Sequence, residues 1–218
     1  MVLGLAATDD ETIEKLLADP PLIWKFLAPD EPEMYEQARK EQKGGGLLAR
    51  IFGRKPTVPP VEAAEIPRPV EEIDLDKSWH GIHYLLTKTA WEGESPLNFL
   101  ILGGEEVGNI DVGYGAGRAL RSDEVRRIHE ALLPIDEETL RSRFDPADMI
   151  SLEIYPEIWD RDPADDDTFG YCAEYFDDLK NFIARTTEGN FGLVISLSYL
   201  ASLAAIWAPG YCLVSSHR

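Results

Sequence analysis

The sequence is short of cysteine and of positive charge, and each shortage excludes a class of protein. Its 218 residues include two cysteines, Cys172 and Cys212, which form no CxxC pair. A disulfide framework and a zinc ribbon are therefore excluded, and a reducing compartment is expected. Lysine and arginine number 21 against 40 aspartates and glutamates, a formal net charge of −19. A nucleic-acid partner is excluded, because phosphate backbones are bound through basic surfaces.

Neither a secretion signal nor a clear membrane span is present. The first residues, MVLGLAATDDETIEKLL, lack a basic start and a long apolar run, and they become acidic within ten residues. The uncharged stretch 191–208 approaches the length of a bilayer-spanning helix. Its first half is β-branched, however, and Gly192 and Ser196 interrupt the helical pattern. We therefore expect a cytoplasmic protein that does not cross a membrane.

Helical periodicity dominates the rest of the chain, with a few short strands between the helices. The sequence predicts an α+β fold, a single compact domain of helices packed with a small sheet. The predicted elements are an N-terminal edge strand, a helix capped by Thr8 and Glu11, a short helix from Leu22, helices over 31–43 and 73–87, a strand in 96–104, helices from Ser122 and Asp136, a helix over 165–183 and a strand over 192–198.

Proline and glycine divide the chain into four parts. Prolines remove backbone donors and favour extended, solvated backbone, as in GGGLLARIFGRKP and TVPPVEAAEIPRPVEEI. The predicted parts are the N-terminal part of the domain at 1–43, a flexible insertion at 44–70, the core at 71–198 and an apolar C-terminal extension at 199–218.

The stretch 74–86, DLDKSWHGIHYLL, brings together residue types that bind metals or transfer protons. On a helix, Asp76 would lie one turn before His80, and His83 one turn after it. The spacing does not match the helical zinc signature, which needs histidines four apart and a glutamate between them. A histidine on an apolar stripe is also typical of a core residue that bonds through one nitrogen. Both interpretations stay open, and we predict neither a metal nor a cofactor.

Glycines at 113, 115 and 117 form a loop that weakly resembles a nucleotide cradle. They favour a turn that presents Tyr114 and Arg118, which could orient an anionic ligand. Tyr155 is a third candidate for ligand binding.

The segment LEIYPEIWDRDPADDD is rich in carboxylates but lacks the spacing of a calcium-binding EF-hand. Acidic residues of this kind form helix caps and solvated surface, or else they bind a cation or a basic partner. The candidates for partner binding are Glu157, Asp160, Asp162, Asp165, Asp166 and Asp167.

Four stretches share an order and a set of unusual residues with one known family. They are DLDKSWHGIHYLLT, PLNFLILGGEEVG, DVGYGAGRAL and FDPADMISLEIYPEIWDRD. In this combination the chain resembles the bacterial YfbM-like family, a family of domains of unknown function. The resemblance implies a compact α+β fold, but it supplies no set of catalytic residues. It also implies that His83 is a lining residue beside the core tryptophan and leucines of its stretch. The insertion at 44–70 and residues 199–218 depart from the family pattern.

Two functions follow as hypotheses. The first is a non-catalytic module whose acidic surface, centred on 153–167, binds a basic protein partner, for instance as an antidote to a basic toxin enzyme. The alternative is an enzyme of unknown substrate, such as a hydrolase, in which His80 or His83 pairs with Asp76, Glu153 or Glu157. The sequence specifies neither the partner nor the substrate nor the oligomeric state.

Overall fold

The structure, a computed structural model, describes residues 1–44 and 65–199. The described elements are, in chain order, β1 (Val2–Thr8), α1 (Asp10–Ala18), α2 (Leu22–Leu27), α3 (Pro32–Gly44), β2 (Glu71–Asp74), α4 (Trp79–Thr87), α5 (Phe99–Leu102), β3 (Glu105–Asp111), β4 (Ala116–Leu120), α6 (Ser122–Leu132), α7 (Glu137–Arg143), α8 (Pro146–Ser151), α9 (Thr168–Glu188) and β5 (Gly192–Ser198). They form an α+β fold, as predicted.

The described strands make one sheet in the order β2-β1-β5-β4-β3, with every neighbouring pair antiparallel. The longest pairing joins β1 to β5, from Val2 opposite Ser198 to Thr8 opposite Gly192. β1 was predicted as an edge strand, and that prediction is wrong. It pairs on both sides, which explains why nearly all of its residues are buried.

Helices cover both faces of the sheet. Alternate residues of a strand point to opposite faces, so Leu3, Leu5 and Ile195 pack on one side. There they join the apolar residues of α4, α6 and α9 in the larger core. Ala6 and Val194 point to the other side, where α1 and α2 cover them. The sheet is therefore the middle of three layers.

Part of the negative charge of the chain is used to begin helices. The side chains of four aspartates accept hydrogen bonds from backbone N–H groups in the first turn of the following helix. This satisfies donors that have no partner within the helix, and the negative charge is stabilised by the helix dipole. These N-cap residues are Asp9 of α1, Asp136 of α7, Asp145 of α8 and Asp167 of α9. The prediction that Thr8 caps α1 is wrong, because Thr8 ends β1 and Asp9 accepts the hydrogen bond.

An ion pair fixes the position of α3. The Arg39 guanidinium donates through two nitrogens to the two oxygens of Asp19, at 2.6 and 2.7 Å, and its Nε donates to Tyr35 Oη at 2.9 Å. A bidentate pair restrains rotation as well as distance. Consequently α3 presents one defined face, which includes Met34 and Gln37, toward the sheet.

Most predicted helices are confirmed, and two predicted elements are wrong. The helix predicted over 73–87 is strand β2, a turn and then α4, so Ile73 belongs to a strand and Asp76 to a turn. The apolar run predicted as a strand at 96–104 is instead turn and short helix α5. A short apolar run has no periodicity that separates a buried strand from a buried helix, which is why the sequence was ambiguous there.

The predicted insertion and extension fall largely on 45–64 and 200–218, which lie outside the described residues. Within the part of the chain that is described, no helix has both the length and the apolar character needed to cross a bilayer.

A close helix contact at Gly81 gives a first prediction. A Cβ atom at this position of α4 would lie 2.5 Å from a ring carbon of Trp159 and 2.7 Å from Sγ of Cys172. Alanine favours a helix over glycine by about 1 kcal/mol, but overpacking a core costs roughly 1–3 kcal/mol. We expect Gly81→Ala to lower the free energy of unfolding in urea, and Gly81→Ser to lower it further. A Gly81→Ala protein more stable than the natural chain would show that this contact is loose.

Candidate functional site

A groove of about 570 Å³ opens between the sheet and the helices α2 and α3. Its floor is the β1 and β5 surface, and its walls come from the two helices, from β2 and from the turn after β3. The described lining residues are Val2, Gly4, Leu5, Ala6, Trp24, Leu27, Glu31, Met34, Gln37, Glu41, Glu72, Ile73, Asp111, Val112, Gly113, Ser196, Ser198 and Tyr199. A volume of this size is typical of a ligand-binding cleft.

The groove exists because the side chains on this part of the sheet are small. Gly4 of β1 pairs with Ser196 of β5, and both line the floor. The next pair of the ladder is Leu5 with Ile195. Leu5 borders the groove, but the side chains of this pair belong to the larger core on the opposite face. The same strand pair therefore has a filled face and a hollow face.

The groove combines an apolar floor and walls with negative charge. Four carboxylate residues line it, and the described lining residues include no lysine, arginine or histidine. A concentration of one charge sign beside a low-dielectric wall attracts the opposite charge. The four are Glu31, Glu41, Glu72 and Asp111.

His80 is a buried structural residue whose two ring nitrogens both have partners. Nε2 lies 2.7 Å from the carbonyl oxygen of Ala90, and Nδ1 lies 3.0 Å from the backbone nitrogen of Tyr155. A carbonyl only accepts and a backbone N–H only donates, so the ring is the neutral tautomer with its proton on Nε2. Burial lowers the pKa of His80. Its contacts hold the loops at Ala90 and Tyr155 together, and the ring of Trp91 packs against the imidazole with 43° between the ring planes.

His83 lies one turn further along α4 and has no exposed surface. Neither ring nitrogen makes a hydrogen bond of good geometry within the described residues, and the nearest favourable group is the backbone at Glu92. Burial, and then the nearby His80, lower the pKa of His83 to about 4. His83 is therefore neutral at neutral pH.

Within the described residues, neither histidine makes a hydrogen bond or ion pair with the carboxylates proposed as its partners. Asp76 is in the turn before α4, where its Oδ2 accepts a hydrogen bond from Tyr171 Oη at 2.9 Å. Glu153 is an exposed turn residue with a φ of 53°. No group of three histidine, cysteine, aspartate or glutamate side chains able to hold a metal ion occurs in the described part of the chain.

The three candidates for ligand binding have different roles. Arg118 is bound to backbone carbonyls at the end of α5, those of Phe99, Leu100 and Gly103, at 3.1, 2.6 and 2.5 Å. Burial lowers its pKa to about 10, so it stays charged at neutral pH. Tyr155 is half-buried against Trp79.

Tyr114 is exposed at the turn that borders the groove, although it is not among the described lining residues. Its ring contacts that of Tyr199, which does line the groove. A hydrogen bond with Tyr199 is the main cause that raises the pKa of Tyr114 to about 12.

The acidic segment is exposed, and it supplies several of its own partners. Asp162 accepts from the backbone of Ala164 at 2.9 Å, Asp166 pairs with Arg161 at 2.6 Å, and Asp167 caps α9. The remaining candidates, Glu157, Asp160 and Asp165, are exposed. None of the six lines the groove among its described residues.

The sequence interpretation missed the carboxylates of the groove. The available signal was the alternation in LGLA at 3–6 and ISLS at 195–198, where large residues alternate with glycine, alanine or serine. That alternation identifies a hollow face only once the two strands are known to pair.

Three layers, with a five-stranded antiparallel sheet between helices, place the described chain in the α+β class. The chain belongs to the family described as Domain of unknown function (DUF1877), which matches residues 1–196. It is similar to the crystal structure of a protein of unknown function, YfbM from Escherichia coli, with a TM-score of 0.57 and 18% identity. The alignment covers 89% of this chain and 98% of that one, and at this identity it shows the fold alone. No curated protein matches. The YfbM-like resemblance is confirmed.

The buried imidazole of His83 predicts a loss of stability in acid. Its pKa is about 4 in the folded chain and near 6.5 when solvated, so the unfolded state binds the proton first as the pH falls. The free energy of unfolding should therefore fall between pH 6.5 and pH 4, by about 3 kcal/mol from this residue alone. Urea unfolding of the natural chain and of His83→Leu at both pH values measures it. The variant should lose about 3 kcal/mol less over this range, whereas the control His129→Gln should behave like the natural chain. Equal losses in all three would contradict the assignment.

The Arg118 contacts predict a structural role for that residue. Arg118→Met keeps the aliphatic stem but leaves three carbonyls without a charged donor, so we expect a loss of about 2–4 kcal/mol in urea unfolding. Arg118→Lys should lose less than Arg118→Met, because the ammonium group still donates to some of the carbonyls, although it reaches fewer of them than the guanidinium does. Unchanged stability in Arg118→Met would instead show that the fold does not need the guanidinium, which would then be available to bind a ligand in the natural chain.

Proposed function

We propose that this chain is a non-catalytic acidic protein-binding module and that the groove receives a partner segment with basic and apolar side chains. The observation that carries the proposal is the combination of an apolar surface and four carboxylates in one groove. The antidote-like role, in which the partner is a basic toxin enzyme, is one form of it.

The groove suits a segment of protein because its floor is already rigid. Gly4 and Ser196 lie on central strands, and Arg39 fixes the helix that forms one wall. A rigid surface needs little ordering when a partner binds, which preserves more of the binding energy. The net charge of −19 would also speed encounter with a basic partner at low salt.

The groove is a better centre for this surface than the acidic segment at 153–167. Asp162, Asp166 and Asp167 already accept hydrogen bonds or form an ion pair within their own region. That segment is exposed and its charges are screened by solvent, whereas the groove adds apolar surface that a partner can bury.

The alternative, a hydrolase with a histidine and carboxylate pocket, has no specific observation in its favour. A general base needs a free ring nitrogen that faces the reacting proton. Both nitrogens of His80 are engaged, and His83 is enclosed. Neither histidine lines the groove among the residues described there.

A fluorescent synthetic peptide of alternating leucine and lysine tests the proposal through its anisotropy at low and moderate salt. Glu31→Gln with Glu41→Gln should weaken binding about three- to tenfold, since each exposed carboxylate contributes up to ~1 kcal/mol. The matched control is Glu33→Gln with Glu36→Gln, which removes the same charge from α3 and its N-terminal region but lies outside the described lining. The control should change affinity less than about twofold.

Gly4→Leu tests the apolar part of the groove independently. A Cβ at Gly4 would be 3.5 Å from Ser196 Oγ and 4.0 Å from its other neighbours, so a side chain fits and extends into the groove. Leucine also suits a strand better than glycine. We expect a melting temperature at least as high as that of the natural chain, together with loss of peptide binding. Equal weakening by both glutamine pairs, or full binding by Gly4→Leu, would indicate nonspecific charge attraction and overturn the proposal.

A further inference from the structure

The turn between β3 and β4 lies against the end of β5. The backbone nitrogen of Tyr114 donates to the carbonyl oxygen of Leu197 at 3.0 Å. Gly113 has a φ of +138°, and a Cβ there would lie 2.9 Å from Cα of Ser198, so the close approach requires glycine. This approach brings the turn to the end of the groove where Ser198 and Tyr199 lie.

Two tyrosine rings meet at this end of the groove. The ring centroids of Tyr114 and Tyr199 are 4.1 Å apart, with 39° between the ring planes. Tyr199 is 71% exposed and Tyr114 is 38% exposed. The face of an aromatic ring attracts a cation, most strongly where water is partly excluded. In the described part of the chain, no lysine or arginine lies over either of these two rings.

A carboxylate is held in place on the same turn. Asp111 Oδ1 accepts hydrogen bonds from the backbone nitrogens of Gly113 at 2.8 Å and Gly115 at 3.1 Å. Asp111 lines the groove together with Gly113 and Tyr199. The two hydrogen bonds orient the carboxylate and use one oxygen, which leaves the second oxygen for another donor.

We infer that this end of the groove is a subsite for one lysine or arginine side chain of the partner, whose cationic group lies over Tyr199 and beside Asp111. The inference rests on the proposed function and adds the position at which the positive charge is recognised. An aromatic face with a fixed carboxylate favours a cation over a neutral chain of the same length. The ring of Tyr114 packs against that of Tyr199 and helps to hold it in place.

The test compares two peptides that differ by one group. Both alternate leucine and serine; one carries a single central lysine, and the other carries norleucine there. We expect the natural chain to bind the lysine peptide about three- to tenfold more tightly than the norleucine peptide. The preference should disappear in Tyr199→Leu, which removes the ring, and in Asp111→Asn, which keeps the Oδ1 acceptor of the turn. It should persist in Tyr199→Phe and in the control Glu33→Gln.

The outcomes distinguish a failure of the proposed function from a failure of the proposed cation subsite. If neither peptide nor the leucine–lysine peptide binds the natural chain, the proposed function fails. If both peptides bind, but the lysine preference is the same in the natural chain, Tyr199→Leu and Asp111→Asn, the groove binds and the subsite is wrong. A preference lost in Glu31→Gln but kept in Asp111→Asn would also overturn the inference, because the cation would then lie at the other wall. Melting temperatures and circular dichroism spectra show whether each variant is folded.

Discussion

The pairing of β1 with β5 is the constraint on which the rest of the structure depends. Its antiparallel register sets Leu3 opposite Leu197, Leu5 opposite Ile195 and Ala7 opposite Leu193 on one face of the sheet. That face carries the larger core. The period of two along a strand then forces Gly4 and Ser196 onto the other face, where nothing of comparable size fills the space. A slip of one residue would bury the small side chains and expose the large ones, so the groove and the core are consequences of one register.

Negative charge has two separate uses in this fold. Some carboxylates are consumed locally, as in the aspartate caps of α1, α7, α8 and α9, where they satisfy backbone donors. Others stand around an apolar groove, where they satisfy no helix end. The first group stabilises the chain, and the second creates a surface that favours cations. A net charge alone does not distinguish these uses, because only the fold shows which carboxylates cap a helix and which line the groove.

The sequence predicted most helices because their signals are local. α9 shows a long apolar stripe, and α7 follows its N-cap Asp136, whose side chain accepts a hydrogen bond from the backbone of Thr139 as the cap pattern indicates. The prediction failed where long-range contacts decide the structure. The carbonyls that end α5 are satisfied by Arg118, which is distant in sequence, and β2 exists because Ile73 pairs with Leu5.

The candidate site was less predictable than the fold, for the same reason. His80 and His83 stood out as chemistry-bearing residue types, yet partners from two distant loops give His80 a structural role. Tyr114 was identified as a ligand candidate from the glycines around it, and it lies beside the groove. Glu31 and Glu41 come from the α3 region, whereas Glu72 lies on β2 and Asp111 ends β3, and no spacing along the chain relates these three segments.

Amide chemical shifts in nitrogen–proton spectra, recorded while the leucine–lysine peptide is added, test the central claim most directly. The claim is that the hollow face of the β1–β5 pair is the recognition surface. It predicts that the largest shift changes fall on Gly4, Ser196 and Asp111, at the floor and the end of the groove. Changes concentrated on Asp160 to Asp167, with Gly4 and Ser196 unmoved, would contradict it and would assign recognition to the acidic segment instead.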